Sequence, residues 1–395
     1  MTRLFHMFSF FLLLPALILG GLFPGMEEAW ASEMIRAQTR TYLKRGIEKA
    51  FNMDEKGGVA EMMKAVELDR ANPLGYSFLA LSFLFSYEMS FSRTERENKQ
   101  ESMLRFVGDA LEKGERRVEK DPRDGDAFFA LALAKLVKTR WEISRKRYFA
   151  ATQETRKIWD YLEKAKEFGP ENYDVYFPMG VLHYHIDHLS GMARFLSSLF
   201  FISGDRQKGI QELELAARNG YLLKELAQAE LVTAYYNFEK QPARALPLAR
   251  QLKEKFPQNY NLSFALANIL SILGRPQEAL SVAQEIEKGI KSDTPPFRSE
   301  LWPRHAQLLG RIYFDQKDYA RASEYFKQAL QEKAPYNARV RAWALLRLGM
   351  IHDVQRDRKA AEEYYRMALE VEGGEGAAQT LAREYLNTPY APPNH

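Results

Sequence analysis

The sequence predicts an all-α fold, a solenoid of helical pairs with extended hairpins in its N-terminal half, on three observations. Small residues recur at Ala245, Ala279, Ala322 and Ala361, separated by 34, 43 and 39 residues, and a period near 34 is that of stacked helix pairs. Stop signals recur where pairs should end, at Asn72-Pro73, Asp121-Pro122, Gly169-Pro170 and Pro257. Hydrophobic residues make up 46% and charged residues 27% of the 395 positions, enough apolar surface for a sizeable core and more than a disordered chain carries.

The chain opens with Arg3 and an almost wholly apolar run from Phe8 to Leu19, followed by Gly20, Gly21 and the Ala29-Trp30-Ala31 triplet. A short basic start, an apolar middle and an A-x-A site are the order of a secretory signal peptide. Cleavage after Ala31 would expose Ser32 as the new terminus. In the alternative the segment is kept as an anchor, since Phe5 to Phe23 nearly reaches the ~20 apolar residues that cross a bilayer. The first reading makes the protein exported, periplasmic or extracytoplasmic and associated with the envelope.

In the next stretch pairs start at Tyr76-Leu79-Ala80, Phe128-Leu131-Ala132 and Tyr176-Met179-Gly180. They are too long. The small residue of the first helix and its counterpart on the second stand 30 apart for Ala80 and Ala110, 26 for Ala132 and Ile158, and 29 for Gly180 and Gly209. Either the helices are extended or a further helix is inserted, three times in succession, and the extensions should stack as a lobe beside the solenoid, because each can bury its apolar face only on a neighbour. Within the third, Met192, Phe195, Leu196, Leu199 and Ile202 recur at helical spacing. The Ser203-Gly204-Asp205-Arg206 to Gly209 segment is similar to one in a eukaryotic repeat family associated with inclusion-body clearance. That likeness spans some thirty residues and brings no function with it.

From residue 226 onward the pattern is regular. Leu309-Gly310, Tyr313, Ala322, Phe326 and Ala329 are echoed by Leu348-Gly349, Ala361, Tyr365 and Ala368, with 12 residues between the paired small positions. This spacing resembles the tetratricopeptide repeat, strongly over the C-terminal half and weakly before it, and about eight repeats fit between residues 38 and 375. The organisation expected is a signal peptide at 1–31, divergent repeats with long inserted helices at 32–225, regular repeats at 226–375, and a capping helix and tail at 376–395. The resemblance implies a non-enzymatic scaffold that binds a protein or peptide ligand on its concave face. In the repeat frame the residue after the small residue of a first helix faces that side, which nominates Asn268 and Arg311, with Gln307 one turn before Arg311.

Chemistry-bearing motifs are sparse. The chain has no Cys, which excludes thiolate nucleophiles, disulfides, Cys-ligated zinc and iron–sulfur clusters. It has no G-x-S-x-G elbow, phosphate-binding loop or dinucleotide fingerprint, so no cofactor is expected. A net charge of +4 gives no reason to expect nucleic acid as the partner. His183, His185 and His188, with Asp187, have helical spacings that could hold a metal, against the simpler reading of a polar helix face. Asp121, Asp124 and Asp126 read as helix caps sooner than as a calcium loop. Eight Lys and Arg against two Glu between Lys135 and Lys157, with Trp141 and Tyr148 interleaved, form either a solvated face or a peripheral contact with a membrane or another anionic surface.

Overall fold

The computed structural model describes residues 26–187, 204–332 and 335–392. Among them every regular element is helical, and sixteen α-helices pack as eight antiparallel pairs with a seventeenth as a cap. The pairs are α1 (Met26–Phe51) with α2 (Glu55–Leu68), α3 (Pro73–Met89) with α4 (Arg93–Lys120), α5 (Gly125–Ser144) with α6 (Tyr148–Phe168), and α7 (Tyr176–Asp187) with α8 (Arg206–Asn219). Regular pairs follow: α9 (Lys224–Thr233) with α10 (Pro242–Lys255), α11 (Tyr260–Ile272) with α12 (Pro276–Ser292), α13 (Trp302–Asp315) with α14 (Tyr319–Ala329), and α15 (Ala338–Val354) with α16 (Arg358–Leu369). The cap, α17 (Ala377–Asn387), lies on the last pair.

The paired small residues act as the sequence predicts. A side-chain carbon on Gly310 would stand 2.6 Å from the Phe326 ring, and one on Gly349 2.5 Å from Tyr365, so each glycine is the slot for an aromatic of its partner helix. Ala322 and Ala361 are fully buried at the same crossings. In α7 and α8 the backbones themselves touch: a carbon on Gly209 would meet Tyr184 N at 2.7 Å. The helices start on side-chain caps, among them Asp54, Asn72, Asp124, Asp205, Asn259, Asp318 and Asp357, each accepting from an N–H that the first turn leaves without a partner. Asp124 accepts from Ala127 N at 2.8 Å, Asp121 from Arg123 N at 3.0 Å, and Asp126 pairs with Arg36. All three therefore do junction work.

A second regularity is invisible in residue type. Met53, Lys146, Lys240, Gly274, Lys317 and Arg356 all take the left-handed conformation, with φ between 53° and 68°. Each stands five residues before the small residue of a second helix: Gly58, Ala151, Ala245, Ala279, Ala322 and Ala361. A single left-handed residue reverses the chain within a turn, and only Gly274 is of the type that prefers it. This register explains the long α5–α6 hairpin. Thr139 and Ala151, both buried, are the ordinary 12-residue pair beside the turn, and Ala132 and Ile158 lie seven residues farther out on each helix. Seven residues are two helical turns, so the hairpin has grown symmetrically without losing its packing face. No helix is inserted in α3–α4 or α5–α6, which are continuous extended helices. The helix expected around Met192 to Ile202 lies outside the described residues.

The extended hairpins stack on each other, with Arg140 Nε donating to Glu88 Oε1 at 2.7 Å and Arg145 meeting Gln100. They do more than form a lobe beside the solenoid. The α3–α4 tip reaches α11 and the loops around α13 and α15, where Phe91 meets Tyr336 and Arg298 Nη1 donates to Glu95 Oε1 at 3.0 Å. At the α5–α6 turn, Lys146 Nζ donates to Glu375 Oε1 at 2.7 Å. The basic run is thus largely spent on internal pairs, since Lys135 is buried against Glu154.

Candidate ligand groove

The first helices of the regular pairs pack side by side, α11 on α13 and α13 on α15, and their common face carries Asn268, Arg304, Gln307, Arg311 and Arg347, all partly buried. Arg304, Gln307 and Arg311 follow one another at three- and four-residue spacing, one stripe of α13. The five-residue π-helical segment that follows α9, Ala234–Phe238, contributes Tyr236. Wider turns of this kind are frequent at functional sites, and here one brings the Tyr236 hydroxyl to 2.8 Å from Arg311 Nη1, which donates to it.

The sequence-predicted residues meet different fates within this face. Asn268 donates from Nδ2 to Phe264 O at 2.7 Å, which orients the amide. Arg311 also approaches Asp315 at 3.5 Å. Tyr236 and Asp315 hold its guanidinium above the usual range against the opposing effect of burial. Gln307 lies between Arg304 and Arg311. Sequence reasoning missed Arg304, Arg347 and Tyr236. Arg304 stands seven residues before Arg311, a spacing that could have marked the stripe, whereas the rule that chose the residue after the small one selects Met350 in α15, which is buried.

Arginine guanidinium groups lie over aromatic rings along this face. Arg304 stands 4.1 Å from the Phe264 ring centre and Arg347 4.7 Å from that of Phe314. Arg304 donates from Nη1 to Asn261 Oδ1 at 2.6 Å. One end of the face is closed by the α3–α4 tip, where Met89, Phe91, Tyr260, Asn261, Arg304 and Tyr336 border a cleft of about 160 Å³. The other end is bordered by the C-terminal tail, in which Tyr390 meets Phe314 and Tyr390 N donates to Asp353 at 2.8 Å.

The histidine cluster is divided between two partners. His183 is buried, with Nδ1 2.5 Å from Glu212 Oε2 and its ring edge-on to Trp159, whereas His185 Nε2 stands 2.7 Å from Glu230 Oε1. His188 lies outside the described residues. Among the described residues no three His, Asp or Glu side chains gather as a metal site. His183 therefore serves the α7–α8 contact, a role that a polar-face reading did not anticipate.

Family models for the tetratricopeptide repeat match residues 230–293 and 306–335. The chain carries tetratricopeptide repeats. The matched stretches fall on α9 to α12 and on α13 to α14, the pairs that build the groove. No curated protein matches the chain in sequence. Among solved structures it is similar to the human IFIT1 dimer with PPP-AAAA (12% identity, 89% of this chain and 86% of that one, TM-score 0.44). It is also similar to a tetratricopeptide repeat protein from Parabacteroides merdae (14% identity, 77% and 99%, TM-score 0.33) and to the P58(IPK) repeat domain (14%, 88% and 96%, TM-score 0.25).

Proposed function

We propose that the protein is an exported, non-enzymatic scaffold that binds a protein or peptide on the concave face formed by the first helices of its regular repeats. The observation that carries the reading is the stripe of Asn268, Gln307 and Arg311 with Tyr236. It sets amide and guanidinium groups along one accessible face of rigid helices. Such groups can hydrogen-bond an extended peptide backbone and a carboxylate, and the stripe contains no nucleophile–base pair that would suggest a reaction. Export is supported by the apolar start and its A-x-A site. The Trp30 to Gln38 stretch of α1 is exposed and Thr39 is the first buried residue after it, so a terminus at Ser32 would fall within an exposed stretch. Among the described residues no helix is long and apolar enough to cross a membrane.

Affinity capture from an envelope fraction, compared between the wild type and the Asn268→Ala/Arg311→Ala double variant, tests the binding face. A partner retained by the wild type and lost by a variant of unchanged melting temperature supports the reading. Equal capture by both would reject this face.

A further inference from the structure

The turn of the α5–α6 hairpin stands two helical turns, about 10 Å, farther from Ala132 and Ile158 than an ordinary turn would, and its end is uncovered. Ile143 and Phe149, the large apolar side chains on either side of it, are 48% and 61% exposed. Ser144, Arg145, Lys146, Arg147 and Ala150 are exposed with them. The α3–α4 tip differs, since its Phe91 is partly buried and rests on Tyr336. The α5–α6 extension therefore ends in two apolar side chains held in water, which is unfavourable until something takes them up.

Charge decides what can cover this end. Arg145, Lys146 and Arg147 are consecutive, and from Ser144 to Lys157 the only acid is Glu154, which Lys135 holds at 2.7 Å. Lys146 meets Glu375 at 2.7 Å and Arg147 meets Glu142 at 3.6 Å. Both partners of the Lys146 pair are more than half exposed, and ion pairs in that position contribute little and exchange readily. Arg145 forms no ion pair among the described residues and instead lies over Trp141 and reaches Gln100. Arg156 is exposed and has none among them either; it follows Phe149 by seven residues and so shares its side of α6. Two apolar side chains flanking a turn are too little for a stable protein interface, which buries about 800 Å² on each partner. A bilayer surface asks less: apolar side chains enter the acyl boundary while cations beside them meet lipid phosphates.

We propose that the α5–α6 tip docks end-on to a membrane surface containing anionic phospholipid, with Ile143 and Phe149 in the acyl boundary and Arg145, Lys146 and Arg147 at the level of the phosphates. The site is separate from the first-helix face and does not depend on it.

The test is flotation of the chain from Ser32 onward with vesicles of phosphatidylcholine alone and of phosphatidylcholine mixed equally with phosphatidylglycerol. The protein should float with the mixed vesicles and not with phosphatidylcholine alone, and added salt should release it. Ile143→Ser/Phe149→Ser and Arg145→Gln/Arg147→Gln should each bind the mixed vesicles at least about tenfold more weakly. The first of these should melt as the wild type does, because both side chains are exposed. Met367→Ser, at an exposed apolar position on α16, and Asn268→Ala/Arg311→Ala should float as the wild type. Equal flotation with both kinds of vesicle, flotation with neither, or wild-type binding by either tip variant would overturn the proposal. So would an equal loss on Met367→Ser. Partner capture through the first-helix face in any of those cases would leave the scaffold reading standing, and failed capture with wild-type flotation would leave the docking tip standing.

Discussion

Phe91, at the turn between α3 and α4, stands edge-on to Tyr336 with ring centroids 5.3 Å apart. The two residues belong to the second and eighth helix pairs, so the lengthened hairpin crosses the molecule and rests against the C-terminal repeats. With Arg298–Glu95 and Lys146–Glu375 it links the two halves of the chain. It also borders one end of the first-helix face.

That contact should be energetically coupled. A double-mutant cycle of Phe91→Ala and Tyr336→Ala, read by denaturant unfolding, is expected to give a coupling of about 0.5–1.5 kcal/mol, the range of edge-on aromatic pairs. A coupling near zero would mean that the tip does not rest there in solution.

The repeat frame makes a prediction of opposite signs. Replacing a helical Gly by Ala ordinarily stabilises by up to about 1 kcal/mol, and Gly108→Ala should do so because a carbon there meets nothing within 4 Å. Gly310→Ala should instead destabilise by about 1–3 kcal/mol, because the added carbon strikes Phe326. Ala322→Trp and Ala361→Trp should cost at least as much. Thermal melts of the four variants check the frame, and a stabilised Gly310→Ala would contradict it.

The buried His305 sets a pH dependence. Its Nε2 stands 3.0 Å from Ala283 O, and burial pushes the imidazole below its ordinary value of 6.5 despite that bond. The unfolded chain therefore binds the proton more readily than the fold. The contribution is fully present above about pH 6.5 and is lost as pH falls through the depressed value of the folded state. Melting temperatures of the wild type and His305→Gln should diverge above pH 6.5 and converge as the pH is lowered. Parallel curves would reject the assignment.

Processing gives a prediction of its own. Mature protein recovered from the native host should begin at Ser32, as read by N-terminal sequencing. A terminus at Met1 in protein held in membranes would favour the anchor.

The parts of the fold that sequence exposes are those imposed by short-range crowding. Gly310 with Ala322 and Gly349 with Ala361 are legible because only small residues fit where helices touch, and 12 residues bring them there. The left-handed turns escaped notice because Met53, Lys146, Lys240, Lys317 and Arg356 are not turn-type residues. Their φ is enforced by the packing of the helices on either side. The Phe91–Tyr336 contact joins distant segments with no local trace in the sequence. Asn268, Gln307 and Arg311 were reachable through the repeat frame, whereas Arg347 was not, because its position in α15 corresponds to the buried Leu308 of α13.

The most direct test of the account is site-specific photo-crosslinking with a photoreactive amino acid at position 307, on the first-helix face, and at position 285, an exposed site on α12. Illumination in an envelope extract should yield a discrete adduct from position 307 and none from position 285. An adduct from position 285 with none from position 307 would contradict the account.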